Sequence, residues 1–154
     1  MNVLFSAKDV LKPKNSKSNI RYRFSLEKEQ ESLTINFAYG PKLLEDKERS
    51  RRLIVAGIRR YGGSQREQLL SQWESFLPIG NLITVSLEDE EKFRGCAHHQ
   101  SPQQSLFLSM HEASPGFIPG RISAGFWTVT LNVHAIVTEE CRFTLSVIGG
   151  ETDE

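Results

Sequence analysis

The feature that most constrains this chain is a side-chain alternation with a period of two that recurs along most of its length. Ile20, Tyr22, Phe24 and Leu26 alternate with Arg21, Arg23 and Ser25, and Leu33, Ile35, Phe37 and Tyr39 alternate with Thr34, Asn36 and Ala38. The pattern returns at Ile83, Val85 and Leu87, at Trp127, Val129, Leu131 and Val133, and at Cys141, Phe143, Leu145 and Val147. Successive side chains of a strand leave opposite faces, so each run reads as a strand with one buried and one wet face. With the apolar run 106–110, the count is six or seven strands. A parallel sheet would need a crossover helix between each pair, and most of the links here are too short for one. The expected fold is therefore mostly β, an antiparallel β-sandwich of jelly-roll-like form with two inserted helices. Short links predict one hairpin from runs 20–26 and 33–39, and another from runs 127–133 and 141–147.

The middle third has a different pattern. Pro41 near a first helical turn, Glu45 and Asp46 near its start, and Arg59 and Arg60 near its end predict a helix over residues 42–60, stopped by Tyr61-Gly62-Gly63, although Leu53-Ile54-Val55-Ala56 could equally form a short buried strand. Ser64 and Glu67 have capping-box spacing, and Leu69, Leu70, Trp73, Phe76 and Leu77 follow at helical spacing, predicting a second helix. The polar, basic, aperiodic stretch 12–19 reads as part of a flexible lead-in over 1–19. One sandwich domain is expected over 20–149, with the helical insertion at about 42–77 and a short tail at 150–154.

Charge and cysteine content narrow the function classes. The 154 residues carry 19 Lys and Arg against 19 Asp and Glu, and a formal net charge of zero argues against a general nucleic-acid binder. No apolar run approaches a membrane span and no signal peptide is expected at the start, so the expected location is the cytoplasm. Two cysteines, Cys96 and Cys141, are too few for a disulfide framework. No cofactor is required by any motif.

The segment Ser114-Pro115-Gly116-Phe117-Ile118-Pro119-Gly120-Arg121-Ile122-Ser123-Ala124-Gly125-Phe126-Trp127-Thr128-Val129-Thr130-Leu131, with Lys92-Phe93-Arg94-Gly95 before it, carries a family resemblance. It resembles the β-sandwich domain that precedes the catalytic part of some bacterial metallohydrolases of the PHP (polymerase and histidinol phosphatase) superfamily. In that family the metal ligands lie in the domain after the sandwich, which begins with an H-x-H strand. No H-x-H occurs in this chain. The resemblance therefore implies an accessory domain acting alone or beside a separately encoded catalytic partner.

Four groups of residues could carry chemistry. Cys96, His98, His99, His111 and His134 are ligand types that zinc prefers, although they lack the two close pairs of a structural site, and they would serve a metal-dependent hydrolase if gathered. Cys96 with His98 or His99 could form a nucleophile and base, but needs a water-excluding pocket that a polar loop does not supply. Thr128, Thr130, Asn132 and His134 share one side of a strand, and Arg142, Thr144 and Ser146 are expected to continue it as a polar ligand-binding face of the kind used by carbohydrate-binding modules. Arg49, Arg51, Arg52, Arg59, Arg60 and Arg66 could meet an acidic partner or pair locally along a helix. Consecutive Glu88, Asp89, Glu90 and Glu91 read as a solubilising turn. The expected function is thus a non-catalytic binding or assembly module, with a protein partner or self-association, a homodimer being the commonest form.

Overall fold

The computed structural model describes residues 2–98 and 101–150. Its strands are β1 (Asn2–Leu11), β2 (Ser18–Leu26), β3 (Ser32–Gly40), β4 (Leu82–Asp89), β5 (Phe93–Ala97), β6 (Gln103–Ser109), β7 (Gly125–Ala135) and β8 (Cys141–Gly150). They form two four-stranded sheets, ordered β1-β8-β3-β6 and β2-β7-β4-β5, with every pairing antiparallel. Strand 1 pairs with 8, 2 with 7, 3 with 6 and 4 with 5. This nested order is the jelly-roll wrap, in which a long doubled strand is rolled up so that consecutive halves fall in opposite sheets.

The alternation places the core as the pattern requires. Inward-facing Leu33, Ile35, Phe37, Ile83, Val85, Leu87, Trp127, Val129, Leu131, Phe143, Leu145 and Val147 are all buried and belong to one cluster between the sheets. Trp127 is fully buried and its indole N–H donates to the Ser123 carbonyl at 2.9 Å, which satisfies its polar edge.

The two expected hairpins do not form. β2 and β3 lie in different sheets, as do β7 and β8, and among consecutive strands only β4 and β5 pair. The links between them, residues 27–31 and 136–140, cross the sandwich. Each is held inward by its own buried residues, Gln30 in the first and Ile136 and Thr138 in the second. Period-two patterning fixes which face is buried, but both arrangements bury the same face, so it cannot tell a hairpin from a crossing link.

The lead-in is also corrected. Residues 2–11 are a full edge strand on β8, and Ser18 and Asn19 already belong to β2. β1 lacks clean alternation because it is wet along one edge and carries a register shift between Val3 and Phe5. Between β1 and β2, only Pro13–Asn15 forms a short 3₁₀ turn.

The insertion between β3 and β4 holds α1 (Lys47–Tyr61) and α2 (Arg66–Ser71). α1 starts five residues later than expected because residues 42–44 are pinned as extended chain, with Asn81 N–H donating to the Lys42 carbonyl at 2.8 Å and Leu44 N–H to that of Ile79 at 3.0 Å. Asp46 caps α1 by accepting from Arg49 N–H at 3.0 Å. The second helix is only six residues long, with no buried residue and no side-chain cap, so the Ser64/Glu67 box does not form. It lies against α1, and a helix with no buried residue has little to extend it. Asn81 anchors the insertion at the corner: fully buried, it donates to Pro41 O and Thr138 Oγ1, both at 2.8 Å, and accepts from Val137 N–H at 2.7 Å.

Candidate functional site

The outer face of the β1-β8-β3-β6 sheet carries a shallow groove of about 850 Å³. Register alone builds its floor. Ser6 faces Ser146, Ser146 faces Asn36, and Asn36 faces Ser105, giving one row of hydrogen-bonding side chains across all four strands. The adjacent row runs Lys8, Thr144, Ala38 and Gln103. The groove continues past Gly40, whose missing side chain leaves the floor low, to Arg142 and Ser101. Lys8 and Arg142 therefore put two cations on the lining, which contains no Asp, Glu, His or Cys. Arg142 lies 3.6 Å from Glu140, but both side chains are exposed, and such pairs contribute little. On the far side of the Ser146 row, Val3, Ile148, Thr34 and Phe107 make an apolar row, with Phe107 partly exposed.

The expected polar face splits in two. Arg142 and Thr144 of β8 line this groove. Thr128, Thr130, Asn132 and His134 of β7 lie on the outer face of the opposite sheet, because β7 and β8 are not neighbours. There Thr130 is buried, and the Thr84 hydroxyl is 2.9 Å from His134 Nε2. Asn132 Nδ2 reaches the Thr84 carbonyl at 3.4 Å, so much of this polarity is used within the sheet. Sequence reading missed the groove's other walls, Ser6, Lys8, Asn36, Gln103 and Ser105, because β1 carries no clean alternation and the pairing of β3 with both β8 and β6 is a matter of topology.

The metal-ligand set is not gathered. Among the described residues no three His, Cys, Asp or Glu lie close enough together to hold an ion. Cys96 is on β5, the exposed His98 follows it, and His111 lies beyond the other end of β6, one strand length away. His134 is engaged by Thr84 across β4, and His99 lies outside the described residues. Burial pushes the Cys96 thiol above its ordinary acidity range, an effect only partly offset by the Thr84 hydroxyl. That thiol is protonated and poorly nucleophilic at neutral pH, so the Cys96 and His98 pairing lacks the thiolate that nucleophilic attack needs.

A second polar centre, absent from the sequence-based candidates, is structural. Arg94 is fully buried, with its guanidinium 3.0 Å from Asp89 Oδ2, 2.9 Å from the Arg121 carbonyl and stacked 5.0 Å above the Trp127 ring. Burial raises the Asp89 carboxyl, but the Lys92 and Glu91 N–H groups and then Arg94 outweigh it and hold the group below its ordinary 3.8. The arginines of the insertion are mostly spread along α1. Arg49 donates to the Val137 carbonyl at 2.9 Å, while Arg51 and Arg60 lie over the Trp73 and Tyr61 rings.

No protein-family model and no curated protein matches the chain. Among solved structures it is similar to a crystal structure of a protein from Sulfurospirillum deleyianum, at 10% identity and a TM-score of 0.33, over 96% of this chain and 99% of that one. No helix of the described residues is long and apolar enough to cross a membrane.

Proposed function

We propose that this protein is a non-catalytic jelly-roll binding module whose groove on the β1-β8-β3-β6 face takes an extended, hydroxyl-rich, anionic ligand, an acidic oligosaccharide being the chemical class that fits best. The observation that carries this reading is the row Ser6, Ser146, Asn36 and Ser105 beside Lys8 and Arg142, with no acidic group in the lining. Hydroxyls and amides both donate and accept, as sugar hydroxyls do, and the cations suit carboxylate or sulfate substituents. The same lining offers no base, thiol or carboxylate pair for chemistry. The test is calorimetric titration with neutral and acidic oligosaccharides, with amide chemical shifts mapped onto the fold. Asn36→Ala and Arg142→Ala should each weaken binding by about five- to tenfold, the cost of one hydrogen bond. Shifts confined to the opposite sheet, or no binding by any acidic oligosaccharide, would refute it. The accessory role implied by the resemblance of residues 114–131 to the PHP-superfamily sandwich is compatible with such a module, and recovery of a PHP-type polypeptide in a pull-down would support it.

A further inference from the structure

A sandwich has four edge strands, and their backbone groups show how each edge is covered. On one flank, the loop after β6 covers both edges. Along β5, Cys96 N–H donates to the Gly116 carbonyl at 3.1 Å and Ile118 N–H to that of Arg94 at 2.9 Å. Along β6, Ser114 N–H donates to the Phe107 carbonyl at 2.8 Å, Phe107 N–H to Ser114 Oγ at 2.8 Å, and Gly120 N–H to the Ser109 carbonyl at 2.9 Å.

The opposite flank has no such cover. β1 pairs with β8 alone and β2 with β7 alone, and among the described residues no other backbone group bonds to the free edge of β1 from Val3 onward. Of five apolar residues only partly buried against the core, four lie here: Leu4, Phe5, Ile20 and Tyr22. Phe5 packs 5.5 Å from Tyr22 and 5.6 Å from Phe24, between the two open edges. The core thus reaches solvent on this side beside a strand whose outer edge, from Val3 onward, meets no other backbone among the described residues.

We infer that a second copy of the chain covers this flank by pairing its own β1 antiparallel to β1. An antiparallel strand pair has two-fold symmetry, so an edge is complementary to itself in backbone terms. Charge selects β1 over β2. A two-fold β2 pair would bring Arg21 and Arg23 of both copies onto one face, whereas residues 3–8 of β1 carry a single charge per copy, Lys8. Val10 N–H has no hydrogen left to donate across the edge, since it donates to its neighbour Asp9 Oδ1 at 2.7 Å. Strand alternation turns the N–H groups of Ser6 and Lys8 to the same edge. The pairing stretch is therefore residues 3–8, its ladder interrupted by the register shift between Val3 and Phe5. It joins two four-stranded sheets into one of eight strands. Because Ser6 and Lys8 line the groove, it also makes the two grooves one surface, a consequence that rests on the binding reading above, whereas the pairing itself does not.

Light scattering on the full chain, without ligand, tests the pairing. The wild type should have twice the 17.5 kDa chain mass. Lys8→Pro removes an edge-facing N–H without taking a donor from the β8 ladder, and Val3→Lys with Ser6→Lys places repelling charges along the edge. Each should weaken dimerisation at least tenfold and return the single-chain mass, with the far-ultraviolet circular dichroism unchanged. If one variant fails to fold, the other decides. A wild type that stays monomeric into the hundred-micromolar range, or a dimer that survives the folded β1 variants, overturns the inference. Loss of oligosaccharide binding with the dimer intact would instead count against the binding reading alone.

Discussion

On the β5/β6 flank the backbone edges are bonded to a loop, and a buried arginine ties that loop to the core; on the β1/β2 flank the edges are bare and half-buried aromatics stand where a loop would be. The same jelly roll thus closes one side with its own chain and leaves the other for a partner. The difference is one of chain length: residues 110–124 are long enough to fold back over two strands, whereas the 12–17 link between β1 and β2 only turns the corner.

The largest effect should come from Arg94. Arg94→Met strands the Asp89 carboxylate, whose side chain is only 10% exposed, and should cost about 3–5 kcal/mol in chemical denaturation. An acid arm sharpens this. Asp89 is held below 3.8 in the folded chain, so its contribution is present above that value and lost as pH falls through the lower folded one. Wild-type stability should therefore drop in acid more steeply than that of Asp89→Asn; parallel curves would remove Asp89 from the account. A smaller effect is expected at Gly116, where φ is +92° and a Cβ would meet the Cys96 carbonyl oxygen. Gly116→Ala should cost about 1–3 kcal/mol and speed exchange of the Cys96 amide. The smallest belongs to the bare flank. Val3→Lys with Ser6→Lys should change the stability of the single chain by no more than about 0.5 kcal/mol, since both side chains are exposed. A cost as large as that at Arg94 would erase the contrast between the flanks.

What could be read in advance follows the same division. The longer strands with one dry face announced themselves, because burial imposes the alternation on Leu33 to Tyr39 and on Trp127 to Val133, whereas the five-residue β5 lies inside the polar stretch 89–104, which reads as a loop. β1 did not, since an edge strand has little to bury and a register shift at Leu4 breaks the period. Partner choice was equally invisible: nothing in the residues 136–140 says that the chain crosses to the other sheet, so Thr128 and Thr144 were placed on one face when they are on opposite sides. For the groove, three residues of β8, Arg142, Thr144 and Ser146, were legible and the rest depended on which strands lie beside it. Arg94 was beyond reach for a different reason, as an arginine in a turn is ordinarily solvated and only the Asp89 and Trp127 contacts reveal its burial. The second helix failed in the other direction, because helical spacing is present there without a core to receive it.

The nested pairing also orders events during synthesis. β8 is made after the other seven strands, yet it sits between β1 and β3 and is the strand of its own sheet that β1 pairs with. As the chain emerges from the ribosome, β2, β4, β5 and β7 can assemble a complete sheet, while β1 waits unpaired until β8 arrives. For that interval the nascent chain presents β1 to any neighbouring strand, and contacts between residues so far apart in sequence form slowly. Polysomes translating this message would hold several such strands at close quarters, a setting in which pairing between nascent chains competes with completion of each one.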